Sequence, residues 1–454
     1  MQPGRTSPRH HMMSVRHLPR VSVAACLIAV ATSPVRAQET TAGTADSLRL
    51  GALHQEAVAS DPRQRQFTLL ARRSELRLRN LSAERLPSLS AEGRAQYQSD
   101  VFTAPLQQGG GTIFPSPSKD TYDGHLSVEQ AIVDPTVGVR QQVERAQLAE
   151  SEAEVRTALF DLRREVNDAF FGAALLAERR GIIAVTMSDL EQQLDEARVR
   201  VREGAALPSD TAAIQATLLE RRQDDAEVEA DRRAALVRLT ELVKRPVSGT
   251  EPFALPDLTA ATVRVRRALD SLRARPEYEQ FARTRDVLAR QRQQVSADQK
   301  PRLSAFGEAG YGRPGLNPVS QSFDSYYLAG IKVRWAPWNW GSGGREREAI
   351  AIQREIVASE EAAFTSRLTR DVQNDLADID RLDAALALDD QIVSLRERVD
   401  AETAVRFREG VVTASEYVDR STDVLRARLA RATHRVEQAQ ARARFLTSLG
   451  VEIQ

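Results

Sequence analysis

Two stretches of the chain predict very long helices. Residues 137–203 contain no proline and only three glycines, and residues 345–409 contain neither. Apolar side chains recur there at steps of three and four, for example at Val155, Leu159 and Leu162. At about 1.5 Å per residue, each stretch predicts a helix of roughly 100 Å with a narrow apolar stripe. Such a helix cannot fit inside a compact core, because globular helices average about a dozen residues.

The chain contains the same large unit twice. The segment PSLSAEGRAQY at 87–97 agrees with PRLSAFGEAGY at 301–311 in seven of eleven positions. The segment VRVREG at 199–204 agrees with VRFREG at 405–410 in five of six. Because both matches are separated by a little over 200 residues, the pattern indicates a tandem duplication rather than a short solenoid repeat.

Both units have the same predicted order: a helix, two strands around a loop rich in glycine and proline, a long helix, a tight turn and a return helix. We place the first repeat at 38–250 and the second at 251–454. Single helices are predicted over about 47–84 and 262–299, strands over about 87–98, 121–132, 301–312 and 326–336, and turns at 204–209 and 410–415. The strand-connecting loops contain GGG at 109–111 and RPGLNP at 313–318.

The four predicted strands alternate between apolar and polar side chains. In the first strand, Leu89 and Ala95 share one face, and Glu92 and Arg94 lie on the other. A period of two over about ten residues is typical of a membrane β-barrel. It is also typical of a half-buried sheet in a soluble domain.

Aromatic residues at the strand ends favour the membrane interpretation, because Tyr and Trp mark the lipid–water interface of membrane proteins. The candidate interface residues are Tyr97, Tyr311, Trp335, Trp338 and Trp340. Four strands cannot close a barrel, since the smallest membrane barrels have about eight. An open sheet edge in lipid would leave backbone groups unpaired. The strands therefore predict a cyclic homo-oligomer.

The N-terminus has the three-part layout of an export signal. A basic stretch ends at Arg20, an uncharged apolar run covers 21–31, and small side chains stand at Val35 and Ala37. This layout predicts a signal peptide at residues 1–37, cleaved after Ala37. The alternative is a lipoprotein signal cleaved before Cys26, which would leave that cysteine lipidated.

Composition argues against several functional classes. Lys and Arg number 63 and Asp and Glu number 63, so the net charge is zero, whereas nucleic-acid binders usually carry a basic excess. The one cysteine, Cys26, lies in the predicted signal, which leaves no thiolate site. The six histidines form no HExxH pair, and we predict no metal site and no cofactor. No cluster of acids, bases and nucleophiles outside the helix turns predicts an enzyme.

The combination of an export signal, two helix–strand–strand–helix–helix units and RxG turns resembles the TolC-type outer-membrane efflux protein family. The resemblance covers about residues 47–450. The segments VEQAIVDP at 128–135 and VRWAPWN at 333–339 are variants of the family's PLFDGG pattern, where a strand passes into a helix.

This resemblance implies a mainly α-helical fold with a small membrane β-barrel contribution. Three identical chains would form a 12-stranded barrel in outer-membrane lipid and an α-helical tunnel in the periplasm. The assembly would be a passive exit duct that works with a periplasmic adaptor, also called a membrane fusion protein, and an inner-membrane pump of RND or ABC type. A periplasmic coiled-coil adaptor or scaffold without a pore is the alternative interpretation.

The functional tip is predicted at the two turns, where Gly204 and Gly410 end the outgoing helices. Ser209 and Ser415 are predicted to cap the return helices. The resemblance implies that acidic side chains nearby face a narrow tunnel entrance, where threefold rings of like charge would favour cations. These gate residues are Asp210, Glu416 and Asp419. For Asp210 and Glu416 the alternative role is to stabilise the first turn of a helix.

Two further sets of tip residues follow from the resemblance. Salt bridges that hold the tip closed are implied for Arg200, Arg202, Arg406 and Arg408, with ordinary helix-surface pairing as the alternative. Contact with an adaptor is implied for Gly204, Ala205, Gly410 and Val411. Phe407 stands where the family often has a tyrosine that hydrogen-bonds at the constriction, and phenylalanine cannot donate that bond.

Overall fold

The computed structural model describes residues 47–101, 117–267, 274–318 and 320–453. The predicted signal peptide, Cys26 and the glycine-rich part of the first loop lie outside these residues. The helices are α1 Leu50–Ser60, α2 Gln64–Ala83, α3 Pro135–Arg202, α4 Pro208–Val243, α5 Thr259–Arg266, α6 Pro276–Asp298, α7 Ser342–Arg408 and α8 Ala414–Ser448. The strands are β1 Leu48–Arg49, β2 Ser88–Tyr97, β3 Asp120–Val133, β4 Phe253–Ala254, β5 Arg302–Arg313 and β6 Asp324–Arg334.

The two long helices are confirmed. Helix α3 has 68 residues and α7 has 67. Helix α3 starts with Pro135 in its first turn, after Asp134, whose carboxylate accepts a hydrogen bond from the Thr136 amide at 2.8 Å. That arrangement satisfies a free amide and uses a proline where no amide is needed, so it fixes the start of the helix.

The single helices predicted before each strand pair are wrong, because each region contains two helices. In the first region, Asp61 and Pro62 separate α1 from α2, and the Asp61 carboxylate accepts a hydrogen bond from the Arg63 amide at 2.7 Å. Proline disfavours helical geometry in the residue before it. In the second region, α6 begins at Pro276, well after the end of α5.

The four longer strands form one antiparallel sheet in the order β2-β3-β5-β6. The register pairs Glu92 with His125 and Gly310 with Tyr326, so residues from both halves of the chain share each row. Strands β2 and β6 are the edges and each pairs on one side only within the described residues. The observed strand ends lie within two residues of the predicted ones.

A small parallel pair ties the start of the described chain to the link between α4 and α5. Leu48 pairs with Phe253, and the Leu48 amide donates to the Pro252 carbonyl at 2.9 Å. Phe253 in turn packs edge-on against Phe170 of α3, with ring centroids 5.5 Å apart.

The main core gathers side chains from α1, α3, α4, α7 and α8. Its largest fully buried members include Phe170, Phe171 and Phe445. Because α1 to α4 come from the first half and α7 and α8 from the second, this core joins the two halves. No helix in the described residues is both long and apolar enough to cross a membrane.

A buried polar chain crosses the main core. His54 on α1 donates from Nε2 to Oδ1 of Asn167 on α3 at 2.8 Å. The Asn167 amide then donates to Oγ1 of Thr447 on α8 at 3.1 Å. Burial lowers the pKa of His54, and the nearby Arg163 lowers it further, against the opposing effect of the Asn167 hydrogen bond.

The lowered pKa of His54 predicts acid sensitivity. The folded protein keeps this imidazole neutral, whereas the unfolded chain takes up a proton near pH 6.5. The stability it contributes is therefore complete above about pH 6.5 and is lost as the pH falls below that value towards the lowered pKa of the folded state. We expect the thermal midpoint of the wild type to drop more between pH 7.5 and 5.5 than that of His54→Gln, measured by circular dichroism. The same drop in both proteins would contradict this role.

Candidate functional site

The two hairpin turns have the same backbone structure. Gly204 and Gly410 adopt φ values of 76° and 73°, in the left-handed region. The amide of Ala205 donates to the carbonyl of Arg200 at 2.8 Å, and the equivalent bond from Val411 to Arg406 is 2.9 Å. This is the Schellman arrangement, in which a left-handed glycine ends a helix and satisfies its last carbonyls.

The prediction that Ser209 and Ser415 cap the return helices is wrong, because each helix starts two residues earlier than such a cap requires. Helix α4 starts at Pro208, so the cap position is Leu207, whose amide donates to the carboxylate of Asp210 at 3.1 Å. Helix α8 is capped by Thr413 Oγ1, which accepts from the Glu416 amide at 3.3 Å. Both serines stand in the first helical turn.

Arg200 connects the two hairpins. Its Nη1 donates to the carbonyl oxygens of Phe407 at 2.7 Å and Arg408 at 3.1 Å, at the C-terminal end of α7. Its guanidinium carbon lies 4.5 Å from the centroid of the Phe407 ring. A cation at the C-terminal end of a helix is favoured by the free carbonyls and the helix dipole. Arg200 thus caps a helix from the other half of the chain.

A second contact crosses at the opposite helix ends. Oδ1 of Asp210 accepts from the Ala414 amide, at the start of α8, at 3.3 Å. Its Oδ2 is already bound by the Leu207 amide of its own helix. One carboxylate therefore serves two helix starts, and Asp210, half-buried, has a bracing role that the gate-ring prediction did not include.

The predicted salt bridges at the tip do not form within the described part of one chain. Arg200 binds carbonyl oxygens, and the side chains of Arg202, Arg406 and Arg408 are exposed, with no carboxylate of the described residues within 4.0 Å. Ion pairs between neighbouring chains stay a prediction.

A small apolar cluster lies under the Arg200 and Asp210 contacts. Phe407 and Tyr417 stack at 5.4 Å with their planes 8° apart, and both are almost fully buried. Burial raises the pKa of the Tyr417 hydroxyl, and the acidic groups of Asp400 and Asp189 add to the effect. Sequence reasoning considered Phe407 and missed Tyr417. The signal was its position one helical turn into α8, on the same face as the buried Ala414.

The other predicted gate and contact residues are exposed. Glu416 and Asp419 face solvent, and neither carboxylate has a hydrogen bond or ion pair among the described residues. Gly204, Ala205, Gly410 and Val411 are exposed at the turns, and Val411 has 69% of its surface accessible. Among the described residues, no group of three or more histidine, aspartate or glutamate side chains could hold a metal ion.

The predicted interface aromatics form two groups at opposite ends of the sheet. Tyr97 and Tyr311 lie at one end, and Trp335, Trp338 and Trp340 follow β6 at the other. All five are at least 60% exposed. The apolar face between them is also exposed, including Leu89, Leu126, Tyr327, Ile331 and Val333.

The sequence matches no family model and no curated protein. The fold of the single chain, in contrast, is that of the TolC-type outer-membrane channels, which confirms the predicted mainly α-helical fold with long hairpins and two pairs of strands.

Three solved structures illustrate the likeness. The structure of CusC, described in terms of transmembrane channel formation, superposes with a TM-score of 0.66 at 14% identity, over 89% of this chain and 93% of that one. The outer membrane protein VceC of Vibrio cholerae gives 0.64 at 14% identity, over 89% and 97%. The MtrE outer membrane channel of Neisseria gonorrhoeae, in its open state, gives 0.63 at 17% identity, over 89% and 90%.

The Arg200 contact predicts local loosening when it is removed. A hydrogen bond from a charged donor contributes about 1.5–3 kcal/mol, so Arg200→Ala is expected to speed amide exchange at residues 405–411 about tenfold or more. Exchange in the main core, around residues 436–446, is expected to stay unchanged. Hydrogen–deuterium exchange with mass spectrometry measures both regions.

Arg202→Ala is the matched control, since Arg202 lies two residues further along the chain and its side chain is exposed. Equal exchange at 405–411 in the two variants would contradict the capping role of Arg200.

Proposed function

We propose that the chain is one subunit of a passive outer-membrane exit duct. Three copies form a 12-stranded barrel in the membrane, and their long helices form a tunnel in the periplasm. The observation that carries this proposal is the four-stranded sheet, which has an exposed apolar face and two edges without neighbours in the described residues.

The edges of the sheet supply the argument for three copies. In lipid each unpaired backbone group costs several kcal/mol, so an open edge is not stable there. Strand β6 of one copy can pair with β2 of the next, and a ring formed in this way has no edge left. Three sheets give twelve strands, within the range of known membrane barrels.

The spacing of the aromatic groups supports insertion in a membrane. Along β5 and β6, the rows of Tyr311 and Trp335 are separated by ten residues, as the register shows. At about 3.3 Å per residue and a tilt of about 40°, the separation along the membrane normal is roughly 25 Å, the height of the apolar band in outer-membrane barrels.

The duplication explains how one chain supplies its share of the ring. We propose two repeats, at 38–250 and 251–454, each of which contributes two strands and one long hairpin. Residues 1–37 are proposed to be a signal peptide that directs export.

The duct is proposed to work with a periplasmic adaptor and an inner-membrane pump of RND or ABC type. Energy comes from the pump, so the channel needs no catalytic residue and no cofactor. The exposed turn residues Gly204, Ala205, Gly410 and Val411 are the proposed adaptor contact.

Glu416 and Asp419 are the proposed gate acids. Both carboxylates are exposed and unbound within the described chain, so threefold symmetry can set them in rings. Asp210 contributes less to selectivity in this proposal, because two backbone amides already bind its carboxylate. Two donors of Arg200, on Nε and Nη2, are buried without a partner among the described residues.

Location and mass test the proposal against its alternative. We expect the full chain to appear in the outer-membrane fraction, and light scattering corrected for detergent to give the mass of a trimer. A water-soluble protein of any mass would overturn the channel and favour a periplasmic adaptor or scaffold without a pore.

The gate acids predict a change in ion selectivity. Rings of carboxylates raise the local concentration of cations, so replacing both Glu416 and Asp419 with alanine is expected to lower the cation-to-anion permeability ratio severalfold. Block by polyvalent cations is expected to weaken as well. Planar-bilayer recordings under a salt gradient give the ratio.

Glu409→Ala is the control, because it removes an exposed carboxylate one residue before the turn glycine. A ratio in the double variant equal to that of the wild type would place the filter elsewhere.

A further inference from the structure

A connected row of polar side chains crosses the sheet on its polar face. The register places Glu92 of β2, His125 of β3, Gly310 of β5 and Tyr326 of β6 side by side. Asp123 lies on the same face, two residues before His125 on β3, since side chains two residues apart along a strand share a face. We name Glu92, Asp123, His125 and Tyr326 the sheet belt.

The belt is held together by its own contacts. The Tyr326 hydroxyl donates to Oδ1 of Asp123, and His125 Nδ1 lies 2.7 Å from Oδ2 of the same carboxylate. His125 Nε2 lies 3.9 Å from Oε2 of Glu92. Asp123 is thus shared by a tyrosine and a histidine, and the second imidazole nitrogen faces another carboxylate.

Gly310 makes this arrangement possible. A Cβ atom at that position would lie 2.5 Å from Cζ of Tyr326, 2.6 Å from its hydroxyl oxygen and 2.8 Å from Cβ of His125. These separations are far below van der Waals contact. The tyrosine ring therefore lies flat across β5, where only glycine leaves room for it, and the ring extends from β6 to reach Asp123 on β3.

The charged side chains around His125 give this part of the sheet a net negative charge. The ionisable groups facing it on the four strands are Glu92 and Arg94 on β2, Asp123 on β3, Glu308 on β5, and Tyr326 and Asp324 on β6. Four carboxylates stand against one guanidinium. The belt and the charged groups around it are therefore net negative when His125 is neutral and less negative when it is protonated.

We propose that the sheet belt is a second determinant of what the channel passes, separate from the acids at the helix turns. The inference rests on the proposed function, because the polar face of the sheet lines a lumen only in the closed barrel. Three belts then surround the lumen at the level of the membrane and favour cations. Protonation of three copies of His125 weakens that preference.

Histidine is the side chain whose charge changes between pH 5 and 8, whereas exposed Glu and Asp titrate near pH 4. Beyond residue 37 the chain has three histidines, and His125 is the one on the sheet. The belt therefore predicts a selectivity that changes with pH between about 5 and 8.

Single-channel recordings of the purified full chain in planar bilayers test the inference, with potassium chloride as the probe at low ionic strength. The expected cation-to-anion permeability ratio falls by roughly a factor of two from pH 8 to pH 5.5, since low salt leaves lumenal charges poorly screened. In His125→Gln the ratio is expected to stay constant over the same range. Glu92→Gln is expected to lower the ratio at pH 8.

Glu92 stands on the edge strand with 68% of its side chain exposed, so its substitution tests the belt even if His125→Gln does not assemble. His434→Gln is the matched control, because His434 lies on α8 and pairs with Asp389 of α7, away from the sheet. The pH response is also measured in the Glu416→Ala/Asp419→Ala background, where it is expected to persist.

The outcomes separate the two proposals. Channels whose selectivity has the same pH dependence in wild type and His125→Gln, and the same value at pH 8 in Glu92→Gln, overturn the belt and leave the channel intact. A wild type that forms no channels overturns the proposed function and the belt together. Loss of the pH response in the turn-acid background assigns the response to the helix turns and overturns the belt.

Discussion

The helices of this protein depend on narrow stripes of buried side chains between antiparallel partners. A helix of 68 residues presents far more surface than one core can cover, so it needs a partner along its whole length. Away from the sheet, helix α4 packs along α3 and helix α8 packs along α7. Near the sheet, helix α2 packs on α3, and helix α6 packs on both α3 and α7. The main core, built around Phe170, Phe171 and Phe445, lies where the two halves of the chain meet.

The ends of the hairpins lie far from the main core, so their order depends on local contacts. The hairpin ends are ordered by a small apolar cluster that includes the Phe407–Tyr417 stack and by contacts to helix ends. Arg200 binds free carbonyls and Asp210 binds free amides, so each charge stands at the helix end that its sign favours. Both contacts join the first half of the chain to the second.

Much of this fold could be predicted from the sequence. The local signals are proline-free stretches, the alternation of side chains from Leu89 to Tyr97, and the glycine turns. Each can be recognised in a single sequence, and the alternation predicted the strand bounds. The break at Pro62 was also a local signal, and it outweighed the apolar pattern around it. In α4 the cap lies at Leu207 because Pro208 favours the first helical position. The contacts of Arg200 and Asp210 join residues more than 200 positions apart, so no local pattern indicates them.

The two hairpins are not equal at their turns. The first ends in Arg200 and Asp210, which reach out to the second, while the second ends in Glu416 and Asp419, whose carboxylates stay free within the described chain. In a ring of three chains, the six turns would then alternate between a bracing and a solvent-facing type. A protein that docks on that ring would meet a surface that repeats every 120° rather than every 60°. Six identical copies of such a protein would therefore bind at two kinds of site, one at each type of turn.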